Sequence, residues 1–174
     1  GRILEALRAR GIQDNTIVIF TSDNGPDPIS DGPLSPCRPN CGLAGSKYHV
    51  YEGGIRIPFL MRWPDQFSPS VRYDFMFHFT DVFPTLAAAC NLETPVNQAL
   101  DGRNALPILA GEVGAESPPR FWQWNRYVPA RRCNAAMRDG DWKLLWPGVP
   151  GFSKVTREDA AKGKELRDRG LEAP

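Results

Sequence analysis

The chain has 174 residues and a formal net charge of +1, from 21 Lys and Arg against 20 Asp and Glu. That balance speaks against a polybasic surface for nucleic acid or acidic lipid, and no apolar run approaches the roughly 18 residues of a membrane helix. Hydrophobic residues make up 41%, the level of an ordinary globular protein with a core. The 16 Gly and 17 Pro are about 19% of the chain, above the usual ~12%, which predicts a folded but loop-rich molecule. The length suits one domain, or one domain plus part of another.

The first element is a helix over residues 2–10, with Ile3, Leu4 and Leu7 on one face and Gly11 as its stop. The chain opens on this helix without a Met, which is expected of a fragment or processed piece and leaves the compartment open. Thr16-Ile17-Val18-Ile19-Phe20 follows, a run of high β-propensity expected to be buried on both faces, as in a parallel α/β sheet. Residues 25–54 form a long loop with five prolines and six glycines, and a loop of that length is usually functional or disordered. Residues 57–63 read as a second strand, and residues 75–79 are a third apolar stretch. Asp81 is placed to cap a helix over 82–90, with Pro84 tolerated in its first turn. A short helical connector spans 101–109.

The last third changes style. Phe121-Trp122-Gln123-Trp124 reads as a strand, and Asp139-Gly140-Asp141 separates two runs, 135–138 and 142–146, as the turn of a hairpin. Beyond Pro147 the signal fades, and residues 156–169 read as a polar helix.

Asp23 and Asn24 stand where the first strand opens into its loop, the position of ligand sites in α/β sheets. A carboxylate beside an amide carbonyl offers hard oxygen ligands that suit Ca²⁺ or Mg²⁺. The plainer reading is an Asx-turn in which Asn24-Gly25 takes a positive φ. Lys47, in Gly45-Ser46-Lys47, is either a mobile point charge for an anionic oxyester or a solvated surface lysine. Glu52-Gly53-Gly54 calls for unusual backbone or a close approach. Arg56 is expected to pair with Glu52 or a loop carboxylate. Trp122, Trp124, Asn125, Arg126 and Arg132 cluster before the hairpin, where they either pack the small sheet or contact a sugar by stacking and charge. Cys90 is expected to be buried, and Cys37 and Cys41 are close enough for a small disulfide. His78 reads as a structural histidine.

Taken in order, these segments resemble the downstream half of a type I sulfatase catalytic domain. The resemblance rests on Thr21-Ser22-Asp23-Asn24-Gly25, Gly45-Ser46-Lys47, Tyr51-Glu52-Gly53-Gly54-Ile55-Arg56-Ile57-Pro58-Phe59 and Arg62-Trp63-Pro64. It continues through Thr80-Asp81-Val82-Phe83-Pro84-Thr85-Leu86, similar to the family's D-x-x-P-T segment, and through Asp101-Gly102 with residues 106–111 behind it. Arg138-Asp139-Gly140-Asp141-Trp142-Lys143-Leu144 resembles the R-x-G-x-W-K-L hairpin of the family's C-terminal subdomain.

The resemblance implies an α/β fold: part of an alkaline-phosphatase-like sandwich over residues 1–115, a small antiparallel β subdomain over 116–150, and a polar tail over 151–174. It implies a sulfuric ester hydrolase in which Asp23 and Asn24 ligate an active-site Ca²⁺, Lys47 binds the sulfate group, and Arg56 and Trp124 are further substrate contacts. In the family a hydrated formylglycine made from Cys attacks sulfur, the alcohol leaves, and sulfate is then eliminated. That nucleophile lies in a C-x-P-x-R or S-x-P-x-R stretch upstream of the Asp-Asn pair. Here Cys37-Arg38-Pro39-Asn40-Cys41 is a near miss, in the wrong place and with Cys where Arg is required. The chain alone is therefore expected to lack turnover. The implied substrates are sulfated small molecules or sulfated glycans, and export from the cytoplasm is the family habit. The alternatives are a phosphonate or phosphodiester hydrolase of the same superfamily and a non-catalytic carbohydrate-binding remnant.

Overall fold

The computed structural model describes residues 1–27, 40–94, 97, 99–112, 117–125, 132–148, 161, 165, 168 and 169. In chain order the elements are α1 (Arg2–Ala9), β1 (Val18–Thr21), α2 (Glu52–Ile55), β2 (Phe59–Arg62), α3 (Phe79–Ala89), α4 (Leu106–Leu109), β3 (Arg120–Gln123), β4 (Ala135–Asp139) and β5 (Trp142–Trp146). They belong to two compact units: Gly1–Phe20 with Phe59–Pro118, and Thr21–Pro58 with Pro119–Pro174. Residues 28–39, Cys37 among them, Arg126, and most of the expected tail helix lie outside the described residues.

In the first unit α1 closes as the sequence predicts. Gly11 takes φ +66, its amide donates to the Arg8 carbonyl, and the Ile12 amide donates to Leu7, which satisfies the last carbonyls of the helix. β1 pairs with β2. The loop before β1 is tied to the end of β2, because Arg62 donates to the Gln13 carbonyl and the Asp65 amide to Asp14. The expectation of a strand buried on both faces does not hold here. Phe20 on β1 is 66% exposed and Leu60 on β2 is 58% exposed. A continuous apolar run reports a strand with cover on both sides, and among the described residues this sheet has two strands.

The centre of this unit is a buried carboxylate. Asp81 is fully buried and accepts hydrogen bonds from the amides of His78 (2.9 Å) and Arg103 (2.8 Å). The helix it serves starts earlier than expected: His78 is the N-cap, and its ring accepts from the Thr80 amide. Asp81 is the third helical residue and closes the reciprocal half of a capping box. One helical turn on, the Thr85 hydroxyl accepts from the Ala105 amide at 2.9 Å. The D-x-x-P-T and D-G segments are thus joined side chain to backbone. At Gly102 any Cβ would overlap the Thr80 carbonyl, so only glycine lets the two segments approach this closely. Cys90 caps α3 at the surface and is exposed, against expectation, because it falls past the last turn of the helix.

The second unit joins the loop to the small sheet. β3, β4 and β5 form an antiparallel sheet in that order. The hairpin turns through Asp139-Gly140-Asp141 with Gly140 at φ +53, as the Asp-Gly signal predicts. Register places Arg120, Trp122, Ala136, Lys143 and Leu145 on one face, with Ala136 and Arg120 buried. Phe121, Trp142, Leu144 and Trp146 lie on the other face and are exposed.

Asp81→Ala removes the acceptor of two amides in a fully desolvated position, and the expected loss is about 2–4 kcal/mol. Chemical denaturation of the variant chain should show a lowered midpoint, with Asp81→Asn intermediate because one carbonyl acceptor survives.

Candidate active-site loop

Three segments of the second unit are held together by backbone hydrogen bonds. The Gly25 amide donates to Gly54 (2.9 Å), the Lys47 amide to Pro26 (2.9 Å), and the Gly53 amide to Ala44 (2.7 Å). The turn that follows β1 therefore lies directly against the Lys47 loop and the Glu-Gly-Gly segment. The glycines are there for space. A Cβ on Gly25 would overlap the Gly53 carbonyl, and a Cβ on Gly53 or Gly54 would overlap carbonyls of residues 44–46 and 49. The close approach expected of Glu52-Gly53-Gly54 is present, within a one-turn helix that the sequence does not announce because two glycines are poor helix formers. The positive φ expected at Asn24-Gly25 is absent, since neither residue is among the left-handed positions. Gly25 is required by contact with Gly53 rather than by its own φ.

At the turn the Asp23 carboxylate accepts from the Asn24 amide (2.9 Å) and from Asn24 Nδ2 (3.0 Å) through the same oxygen, Oδ1. Asn24 Nδ2 also donates to the Gly25 carbonyl at 3.1 Å. These bonds fix the amide orientation and direct Asn24 Oδ1 to the other side. Asp23 is exposed and Asn24 half-buried. The turn thus carries a carboxylate and a carboxamide on adjacent residues, with the amide nitrogen rather than its oxygen facing Asp23. Among the described residues no group of three or more His, Cys, Asp or Glu comes together as a metal cluster.

Lys47 stands on the loop whose backbone is bonded to this turn. Its ammonium lies 3.9 Å from Asp27 and 5.4 Å from the centre of the Tyr48 ring. The Asp27 pair is long and partly solvated, a geometry worth ~0–1 kcal/mol. A lysine held so loosely can turn toward an anion. The backbone beneath it is the opposite of loose. Tyr48 has φ +76, a left-handed conformation that a bulky residue adopts at a cost of about 1–3 kcal/mol. Such a residue persists only where its neighbours over-determine it, and they do: the Tyr48 carbonyl accepts from Asn134 Nδ2 at 2.6 Å, and its ring lies 4.9 Å from that of Trp124.

The remaining expected residues are placed as follows. Arg56 is exposed, and its amide closes α2 on the Glu52 carbonyl. The Glu52 carboxylate takes Lys143 at 2.7 Å, so the Glu52–Arg56 pairing gives way to a partner from β5. Trp124 packs against Tyr48 just past β3, next to the Lys47 loop. His78 belongs to the first unit as a helix cap. Sequence reasoning passed over Asn134. Nothing in Cys133-Asn134-Ala135 marks it, although a fully buried amide is the residue type that bridges backbones.

The protein-family comparison matches the sulfatase family over residues 1–92. The chain is 36% identical over 135 residues to steryl-sulfatase of Mus musculus, covering 76% of this chain and 22% of that protein. It is 34% identical over 156 residues to N-acetylgalactosamine-6-O-sulfatase of Bacteroides thetaiotaomicron, covering 84% of this chain and 29% of that one. The crystal structure of Ps i-CgsB in complex with k-i-k-neocarrahexaose superposes with a TM-score of 0.71 at 26% identity, over 100% of this chain and 40% of that chain. The chain thus spans about a quarter of the length of these curated relatives, and its fold is that of the alkaline-phosphatase-like sulfatases. With the family match running over more than half of its length, through the Asp-Asn turn and the Lys47 loop, this chain belongs to the sulfatase family.

Proposed function

We propose that this chain is the part of a sulfuric ester hydrolase that supplies a sulfate-binding cation and two metal ligands. The observation that carries the reading is the backbone bond from Lys47 to Pro26, which sets the lysine loop against the Asp23-Asn24 turn. In this reading Asp23 and Asn24 hold Ca²⁺ through a carboxylate and an amide oxygen, and Lys47 Nζ donates hydrogen bonds to a sulfuryl oxygen. Bound Ca²⁺ would supply positive charge at the sulfate group.

Sulfate-ester hydrolysis shifts negative charge onto the sulfuryl oxygens and the departing alcohol oxygen. Donors already aimed at those atoms stabilise that charge without reorganising. Lys47 suits the task because its ammonium is a compact charge on a flexible stem, while the strained Tyr48 backbone fixes where that stem begins. The nucleophile is assigned to a formylglycine segment carried elsewhere in the enzyme, since this sequence has no C-x-P-x-R or S-x-P-x-R stretch. Sulfated glycans are the proposed substrate class. The support is the oligosaccharide bound by Ps i-CgsB and the amino-sugar substrate named for the Bacteroides relative. The position of Trp124 beside the Lys47 loop offers an apolar face for a sugar ring.

The 174-residue chain by itself is expected to show no turnover of an aryl sulfate. Calorimetry should show weak Ca²⁺ binding at most, since Ca²⁺ wants roughly six to eight oxygens and this chain offers a pair. Turnover by the isolated chain would overturn the assignment of the nucleophile. In the active enzyme that contains this chain, Lys47→Ala should lower kcat/KM for an aryl sulfate by roughly 10²–10³-fold, the scale of losing one preorganised donor. An unchanged value would remove Lys47 from the site. Trp124→Ala should raise KM for a sulfated oligosaccharide more than for a small aryl sulfate. Equal effects would make Trp124 a packing residue only.

A further inference from the structure

The Lys47 loop carries its strain next to the residue that matters. Tyr48 stands in the left-handed region one position after Lys47, at the third position of a turn that the His49 amide closes on the Ser46 carbonyl at 3.0 Å, where a side chain larger than that of glycine or asparagine is strained. A second restraint comes from the small sheet, within the same compact unit. Asn134 is fully buried at the start of β4. Its Nδ2 donates to the Tyr48 carbonyl (2.6 Å) and to the Trp124 carbonyl (2.8 Å), and its Oδ1 accepts from the Val50 amide (3.1 Å). One carboxamide therefore uses both donors and its acceptor, and it spans the two residues that flank His49. Its own backbone is held in turn, since its amide donates to the Pro147 carbonyl and its carbonyl accepts from the Trp124 amide.

Lys143 makes a second attachment. Its ammonium donates to the Val50 carbonyl (2.9 Å) and to Glu52 Oε1 (2.7 Å). Val50 is thus gripped at both its amide and its carbonyl, by two different side chains of the sheet. On its other flank the loop is fixed by the Lys47 amide on Pro26. Between these holds the direction in which the Lys47 side chain leaves the backbone is determined.

We propose that Asn134 and Lys143 are positioning residues for Lys47: the small sheet acts as a clamp that maintains the strained Tyr48 backbone and so aims the Lys47 ammonium. This inference rests on the reading of Lys47 as the sulfate-binding cation. It assigns to the C-terminal sheet a part in catalysis, exerted through Lys47. Asn134→Asp is the sharpest variant. It keeps shape and volume but replaces both donors by an oxygen facing two carbonyls, so the clamp opens without a cavity. Lys143→Met releases the second attachment while retaining the apolar stem.

The test is a kinetic cycle in the active enzyme that contains this chain, with an aryl sulfate as substrate. The variants are Asn134→Asp, Lys143→Met, Lys47→Ala and the two doubles with Lys47→Ala. A positional error of about 1 Å costs up to roughly 10²-fold. Asn134→Asp is therefore expected to lower kcat/KM by about 10–100-fold when Lys47 is present, and by less than about threefold when it is Ala, the mark of residues acting as one unit. Lys143→Met should follow the same pattern with a smaller effect, and it reports on the clamp should Asn134→Asp not fold. Equal losses with and without Lys47 would overturn the clamp while leaving Lys47 in its role. A Lys47→Ala enzyme with undiminished kcat/KM would overturn the role of Lys47, and the clamp proposal with it.

Discussion

The backbone contact between Gly25 and Gly53-Gly54 is the constraint on which the candidate site depends. Peptide groups meet there at distances that leave no room for a methyl group. Because they meet, the turn after β1 and the Lys47 loop are a single stitched surface rather than two loops passing nearby. Glycine is used for closeness here, and the order of the other parts follows from it. The seam joins the turn that bears Asp23 and Asn24 to the loop that bears Lys47.

The two compact units solve the same problem with different chemistry. In each, a segment without regular structure must be held against an element distant in sequence. The first unit uses a buried carboxylate, Asp81, which accepts from two amides and caps a helix in the same act. The second uses a buried carboxamide, Asn134, which both donates and accepts. A carboxylate suits a place where only N–H groups converge, whereas an amide suits one where carbonyls and an N–H converge together. Buried polar groups of this kind are stabilising only when each of their bonds is made, so they tie loop geometry to the integrity of the surrounding structure.

Much of the fold was legible because it is local. The Gly11 stop, the Asp139-Gly140 turn and the β-rich runs around it are written in neighbouring residues, and the structure repeats them with shifts of one or two positions. Boundaries moved where a capping residue was misjudged: Asp81 looks like an N-cap, but His78 three residues earlier fills that place. Burial was less legible than element type. Thr16-Ile17-Val18-Ile19-Phe20 has the composition of a doubly covered strand, yet Phe20 is largely open in this chain, because composition reports the cover a strand is suited to and, among the described residues, β2 is its one neighbouring strand. Cys90 misled in the same way, since an apolar helix does not reveal that its last residue lies past the packed turn.

What the sequence by itself determined about this protein is its family, its α/β beginning and antiparallel end, and the choice of Asp23, Asn24 and Lys47 as candidate site residues. Motif order along a chain is one-dimensional information, and one chain holds all of it. What only the tertiary structure decided is the set of partners: Lys143 rather than Arg56 for Glu52, Asn134 beneath Tyr48, and Gly53 as the reason for Gly25. The hydrogen bonds of Asn134 and Lys143 to residues 48–52 join positions 84 to 93 residues apart. At such separations no periodicity or turn rule links donor to acceptor. Only the folded backbone, by bringing an unpaired amide or carbonyl within about 3 Å of a side chain, makes the pairing exist.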